Sequence, residues 1–541
     1  MQHHQICSFH CFEGPLFQAR LYPFFQLLRL VGCDVYSTRR IEPPTPTLMM
    51  RYEVPNFTTI KNLDRGTSAQ RSYHQRRVEH WDVVAERMDH WTGLGGYYHK
   101  RLTEIYLSVI PPGQRVLEIG CGQGDLLAAC RPAYGVGVDF SCEMIKRAQV
   151  KHPHLTFYQT DVHDLRLEEK FDIIIMSDLV NDLWDVQTVF EQIAPLCTPR
   201  TRIVMNFYSR VWELPLGLAQ RLHLAKPLLP QNWLTVEDVT GLLHLTDFEV
   251  IRHWEEILVP FYIPGLTRIA NRFLAKLAPF RLAGLTHVMV ARPMARLDAE
   301  SIEPLVSVII PARNERGNIA DIFHRVPEMG RGTELIFVEG HSTDDTYSVI
   351  EKAISDHPER KCKLLSQTGK GKGDAVRLGF ANAEGEVLMI LDADLTVPPE
   401  DLPRFLAVLR EGKADFVNGV RLVYPMDKEA MRFLNLVGNR FFSLAFSALL
   451  GQPIKDTLCG TKVLRRGDYL LIAQNRKYFG DFDPFGDFDL IFGAARLNLK
   501  ILDLPVRYRE RIYGSTNIQR WKHGWLLLRM VQFAARRIKF I

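Results

Sequence analysis

Apolar residues in this chain gather in short runs that end on polar or glycine-rich turns. From about residue 75 to 295 the runs read "RVLEIG", "GVGVDF", "LTFYQTD", "FDIIIMSD", "TRIVMNF" and "HVMVARP", with helical patterns between them. Continuous apolar runs of about four to eight residues fit strands buried on both faces. Their alternation with helices predicts a parallel sheet covered on both sides. The pattern breaks at "ARPMARLDAESIEPL" (291–305), a linker, and restarts with "LVSVIIPA", "ELIFVEG", "VLMILDAD" and "DFVNGVRL". Beyond about residue 425 the chain reads as helical and increasingly basic. Residues 1–70 hold no sustained period, only a short apolar patch, and read as a poorly ordered leader. The expected fold class is α/β: two doubly wound domains, 71–296 and 297–541.

Near the C-terminus, Leu527, Val531, Ala534 and Ile538 share one helical face, while Lys522, Arg529 and Arg536 recur on the other. With Trp521 and Trp525 alongside, this layout predicts a helix lying in a membrane headgroup region. "RFLNLVGNRFFSLAFSALL" (432–450) is a second apolar helix of the same kind. Packing on the domain core is the alternative for both. No run reaches the ~20 apolar residues of a spanning helix, and the N-terminus lacks a signal-peptide layout. The expected location is cytoplasmic, peripheral on the inner face of the membrane.

Composition narrows this little: 541 residues, 46% hydrophobic and 24% charged, describe a soluble multidomain protein. A net charge of +5 is too small to argue for nucleic acid, and no nucleic-acid motif is present. The nine cysteines lack paired spacing, which points to reduced thiols. Cys7 and Cys11 lie near His3, His4 and His10 but have no second ligand pair for a zinc site.

In "VLEIGCGQG" a strand runs into Gly120, Gly122 and Gly124, with Glu118 on the strand. Such glycines let a ligand approach a helix N-terminus closely. The spacing is G-x-G-x-G, because Asp125 stands where a dinucleotide fingerprint needs glycine. Asp139 ends the next strand, where a carboxylate reaches ribose hydroxyls. Asp161 ends the third, and Ser177 and Asp178 follow the fourth. This ordered set resembles the class I S-adenosylmethionine (SAM)-dependent methyltransferases over residues 75–295. The resemblance implies Glu118 through Gly124 around the methionine part, Asp139 on the ribose, Asp161 by the adenine and Ser177 in the same cofactor site. "HWDVVAERMDHW" (80–91) reads as an amphipathic lid in which His80 and His90 are structural or lid residues rather than bases, and no catalytic base is assigned.

The second half carries Asp392 and Asp394, one residue apart at the end of an apolar strand. Two like charges so placed repel, and a divalent cation that shares phosphate oxygens offsets this. Pro311, Asn314 and Glu315 follow the first strand, Glu339 ends the second, and "GKGKG" (369–373) carries Lys372. In this order the segments resemble the family 2 glycosyltransferases of the GT-A fold over residues 303–515, and within them the polyprenyl- or dolichyl-phosphate sugar transferases. The resemblance implies Mg²⁺ or Mn²⁺ on Asp392 and Asp394, a nucleotide-sugar donor bordered by Pro311, Asn314, Glu315 and Glu339, and Lys372 at its diphosphate. It also implies inversion at the anomeric carbon. Where that family commonly has V-D-D-G-S, this chain has Glu339 and Gly340, which leaves the nucleobase open. "DTLCGTKVLRR" (456–466) matches the family's D-x-x-x-G-x-[KR] segment. Arg507, Arg509 and Arg511 alternate as on a strand and are candidates for an acceptor phosphate; a solvated face is the alternative. A polyprenyl phosphate needs cations rather than a base, whereas a glycan hydroxyl needs a base, for which Asp487 is the choice. A first half that only binds SAM and regulates the second is a further alternative.

Overall fold

The computed structural model describes residues 68–87, 96–221, 229–294, 303–421, 423, 433–476, 486–509, 511, 513 and 520–540. Residues 1–67 of the expected leader, His90 and the 424–432 segment lie outside the described residues. Two seven-stranded sheets organise the rest. The first contains β1 (Arg115–Ile119), β2 (Tyr134–Asp139), β3 (Thr156–Gln159), β4 (Ile173–Met176), β5 (Arg202–Tyr208), β6 (Phe248–Glu256) and β7 (Thr286–Pro293). Its order is β3-β2-β1-β4-β5-β7-β6, parallel except that β7 runs against both neighbours.

The second sheet contains β8 (Val306–Ala312), β9 (Thr333–Glu339), β10 (Lys361–Ser366), β11 (Val387–Ile390), β12 (Phe416–Val420), β13 (Lys462–Arg465) and β14 (Ile501–Pro505). Its order is β10-β9-β8-β11-β13-β12-β14, with β13 antiparallel to β11 and β12. The expected runs form strands in both halves, but three expectations need correction. One strand in each sheet is reversed. The linker starts after Pro293, since β7 absorbs its first residues. The C-terminal part is not wholly helical, because β13 and β14 lie in it.

Both sheets put their ligand-facing loops at the C-terminal strand ends, where β1 meets β4 and β8 meets β11. One junction between the halves lies at the opposite ends. Arg202, at the start of β5, and Arg292, near the end of the reversed β7, donate to Asp415 at 2.6 and 2.8 Å, just before β12. Both arginines are only 3% exposed. Asn498, before β14, accepts from Arg252 (2.7 Å) and donates to the Val109 carbonyl (2.9 Å). Against burial, which alone would raise it, the two arginines hold the Asp415 carboxyl below its usual range.

Helix Arg520–Ala534 lays Leu527, Met530 and Ala534 against Phe442, Phe446 and Leu450 of helix Phe433–Leu450. Val531 and Ile538 pack on the same cluster. The apolar face expected to meet lipid is therefore covered by the domain core. No helix among the described residues is long and apolar enough to cross a membrane.

Candidate functional site

At the end of β1, Gly120, Gly122 and Gly124 all take left-handed backbone conformations, with φ of 70°, 51° and 75°. A Cβ on Gly124 would lie 2.6 Å from the Phe157 ring, so only glycine fits there without a shift. Asp139 caps the adjoining loops: its carboxylate accepts from the Gly122 and Ser141 backbone N–H groups, each at 2.9 Å. Glu118 lies buried beneath and accepts from the Leu127 N–H at 2.9 Å; burial pushes its carboxyl up to about 8. Asp161 sits at the far side of the same cavity, which Gly120, Asp139, Phe140 and Leu179 also line. Its oxygens accept from His163 (2.7 Å) and His74 (2.8 Å). Against burial, those two bonds hold its carboxyl well below the usual range. The cradle of open glycines, a pinned carboxylate and an acid at the third strand fits the nucleoside and methionine parts of SAM.

Helix Ser68–Arg87, which includes the expected lid residue His80, covers this cavity. Buried Arg77 donates to Asp182 (2.9 Å) and the Pro230 carbonyl (2.5 Å), and Trp81 donates to Asp182 at 3.2 Å.

Beside Ser177, at the end of β4, lies a network that sequence reasoning did not find. Asp178 takes a left-handed φ of 52° although it is not glycine. Its Oδ1 accepts from the Tyr98 hydroxyl at 2.7 Å and from Asn206 Nδ2 at 2.5 Å. Asn206 Oδ1 in turn accepts from the Asp178 N–H (3.1 Å) and the Tyr106 hydroxyl (2.8 Å). Burial raises the Asp178 carboxyl above its usual range, only partly offset by the Tyr98 bond.

In the second half, Asp392 follows β11 and contacts Lys372 Nζ at 2.5 Å. Against burial, Lys372 holds the Asp392 carboxyl below the usual range. A Cβ on Gly460 would lie 2.0 Å from Asp392 Oδ2, which explains the glycine in "DTLCGTK". Asp394 accepts from Thr396 Oγ1 (2.8 Å) and Arg511 Nη2 (2.5 Å), and Arg511 also reaches Glu315 at 3.3 Å. Burial pushes Glu315 up to about 7, with Arg511 opposing. Pro311 lies within β8, and the following Asn314 Oδ1 accepts from the Thr343 N–H at 2.7 Å. Glu339 accepts from the Ser342 N–H at 2.5 Å. Buried Gln367 fills the space over Gly340, 3.1 Å from where a Cβ would stand, and donates to the Gly371 carbonyl at 2.8 Å, a contact that sequence reasoning did not find.

The three arginines do not share a strand face, because β14 ends at Pro505. Arg507 and Arg509 are exposed, while Arg511 turns in to Asp394 and Glu315. Asp487 opens helix Asp487–Arg496, is 4% exposed, and is pushed up by burial. Its Oδ1 has no hydrogen-bond partner among the described residues, with Lys462 Nζ 4.0 Å away. An all-oxygen pair of carboxylates at one strand end suits a hard divalent ion that takes its remaining ligands from phosphate and water.

Residues 307–470 match the glycosyl transferase family 2, and residues 110–245 match a methyltransferase domain family. Glycosyltransferase AglJ of Haloferax volcanii is 30% identical over 224 residues, 41% of this chain and 69% of that protein. An undecaprenyl-phosphate 4-deoxy-4-formamido-L-arabinose transferase of an Enterobacter species is 25% identical over 217 residues, and the chain spans 62% of its length. A solved glucosyl-3-phosphoglycerate synthase of Mycobacterium tuberculosis is 22% identical, with 46% of this chain and 85% of that one covered at a TM-score of 0.33.

Proposed function

We propose a two-part reading for a chain that belongs to glycosyl transferase family 2 and carries a SAM-dependent methyltransferase domain ahead of it. The second half transfers a hexose from a nucleotide sugar to a polyprenyl phosphate, inverting the anomeric carbon. The first half methylates a hydroxyl of a glycan-related acceptor. Both act on the inner face of the membrane.

The observation that carries the transferase reading is the meeting of Asp392 and Asp394 with Lys372 and Arg511 at the end of β11. Alternating carboxylates and cations at one strand end suit a diphosphate and a second phosphate-bearing substrate. Mg²⁺ or Mn²⁺ held by Asp392 and Asp394 would offset charge on the leaving diphosphate. Pro311, Asn314, Glu315 and Glu339 border the nucleotide, and Lys372 neutralises a diphosphate oxygen. Arg507 and Arg509, with Arg511, attract the acceptor phosphate, which is itself the nucleophile. The named acceptor of the undecaprenyl-phosphate relative supports this choice. The unpartnered oxygen of Asp487 favours a second reading, in which a sugar hydroxyl is the acceptor and Asp487 its base.

Mass spectrometry decides between them. The full chain is supplied with Mg²⁺ or Mn²⁺, a panel of UDP- and GDP-sugars, and undecaprenyl phosphate. A hexosyl-phospholipid is expected, abolished by Asp392→Ala with Asp394→Ala and unchanged by Asp487→Asn. Loss of at least a hundredfold in Asp487→Asn, with no lipid product, would establish the hydroxyl reading instead.

In the first half, SAM supplies an electrophilic methyl group when bound. Asp161 and Asp139 would hold the nucleoside at the ends of β3 and β2, and the glycine loop of β1 would take the methionine part, beside the ends of β4 and β5. Asp178 lies there. With SAM bound, Asp178 Oδ2, the oxygen not engaged by Tyr98 and Asn206, would take the proton of an acceptor hydroxyl as that oxygen is methylated. SAM binding without methyl transfer to any lipid-linked glycan would favour a regulatory domain.

A further inference from the structure

Three segments of the chain contain no Asp or Glu at all: 261–283, 433–450 and 520–540. They come from both halves. In the first, Leu266, Ile269, Leu277, Phe280 and Leu282 are exposed, Ile269 at 55%. Arg268 and Arg281 are exposed between them. On helix Phe433–Leu450, the side turned away from the core exposes Phe441 and Leu444, the latter at 73%, beside exposed Arg440. On helix Arg520–Ala534, Trp525 (65%) and Leu528 are exposed one turn apart, beside exposed Arg529. These are the faces opposite the one that packs into the core.

The three segments touch. The Phe273 and Phe540 rings lie 5.6 Å apart, and Lys276 donates to the Lys539 carbonyl. Lys539 reaches the Ala448 carbonyl of helix Phe433–Leu450 at 2.9 Å. Exposed apolar side chains interleaved with arginine thus form one strip across both halves, with Glu256 buried beneath it against Lys276 and the half-buried Glu255 at its edge. Large contiguous apolar surface is rare on soluble proteins. A basic protein partner would be met by acidic side chains on these segments, and the segments supply none. Apolar side chains that insert, ringed by cations that pair with headgroups, fit an anionic bilayer.

We propose that this composite strip, built from methyltransferase and glycosyltransferase segments together, docks the enzyme on an anionic phospholipid surface. It deepens the membrane element of the proposed function and rests on that reading. Helix Phe433–Leu450 runs from this strip to the sugar-transfer site, where its Asn439 donates to Asp456 at 3.0 Å and Asp456 pairs with Arg421 at 2.8 Å. A lipid-borne acceptor held in the bilayer would meet the transferase site along that helix.

The test is co-sedimentation of the full chain with phosphatidylcholine vesicles and with vesicles containing phosphatidylglycerol. Wild type is expected to bind the anionic vesicles at least tenfold more tightly and to be released by high salt. Leu444→Glu with Trp525→Glu, and separately Leu266→Glu with Ile269→Glu, are each expected to weaken binding about tenfold. Unchanged circular dichroism and unchanged SAM binding check that both variants are folded. Binding lost only in the first variant would overturn the composite strip. No binding by wild type would overturn docking altogether, as would self-association that the variants abolish, since a second copy would then be the occupant. Sugar transfer to a short, water-soluble prenyl phosphate needs no bilayer, so failure of that reaction marks failure of the functional reading instead.

Discussion

Asp178 holds a left-handed backbone conformation that a non-glycine residue adopts only when its surroundings impose it. Those surroundings are Tyr98, 80 residues upstream, and Asn206, 28 residues downstream. The acid itself is legible in "IIIMSD", as a polar residue at the end of an apolar run. Its partners are not, because nothing in local pattern brings a helix tyrosine and a distant strand asparagine to one oxygen. The same holds for Gln367, which is adjacent to Gly340 only in space. If Asp178 accepts the acceptor's proton, Asp178→Asn should lower methyl transfer about 10²- to 10⁴-fold. SAM affinity should stay within about twofold. The readout is labelled methyl incorporation into a lipid-linked glycan extract, with SAM binding by calorimetry. Because burial raises this carboxyl, the wild-type rate should climb with pH above the ordinary carboxylate range, and the variant should lose that rise. Equal losses in rate and in SAM affinity would instead make Asp178 structural.

Among the elements, strands buried on both faces announce themselves: β1, β4, β8 and β11 are each apolar runs whose residues are almost wholly buried. The strands that escape detection carry charge. β13 begins with a fully buried lysine, Lys462, and β10 alternates lysine with apolar residues at a sheet edge. Direction is equally hidden, since nothing in "HVMVARP" says that β7 runs backwards. Periodicity located the apolar face of helix Arg520–Ala534 but not its partner, which is helix Phe433–Leu450 rather than lipid. Helix Ser68–Arg87 is the element on which access to the SAM cavity depends. Arg77 is its most buried polar anchor, bonding Asp182 and a backbone carbonyl, beside the contacts of His74 with Asp161, Trp81 with Asp182 and Asp82 with Ser141. Hydrogen bonds to charged groups contribute about 1.5–3 kcal/mol. Arg77→Ala should therefore loosen the helix, speed SAM release about tenfold or more in stopped-flow, and expose residues 68–87 to limited proteolysis. An unchanged release rate would mean that the helix is held elsewhere.

At the scale of the whole molecule, the halves meet around Asp415 at the N-terminal ends of their sheets and again where Phe273 and Lys276 touch Phe540 and Lys539. What the junction provides is fixed geometry, and Asp415 is its centre, with Arg202 and Arg292 buried around it and the Lys500 N–H donating at 2.9 Å. Neither arginine stands out in the sequence, since each is one basic residue near the end of a strand. Removing one partner from a buried ionic cluster leaves the others uncompensated, at about 3–5 kcal/mol. Asp415→Ala should therefore lower the melting temperature and separate the unfolding of the two halves in calorimetry, whereas the wild type unfolds with them coupled. The carboxyl is depressed in the folded state, so its stabilisation is present above the unfolded aspartate value of about 4 and is lost as pH falls below it. The gap between wild type and Asp415→Ala should accordingly be wide at neutral pH and close in acid. A gap that stays constant down to about pH 3 would show that the junction is held by packing and by Asn498, not by this charge.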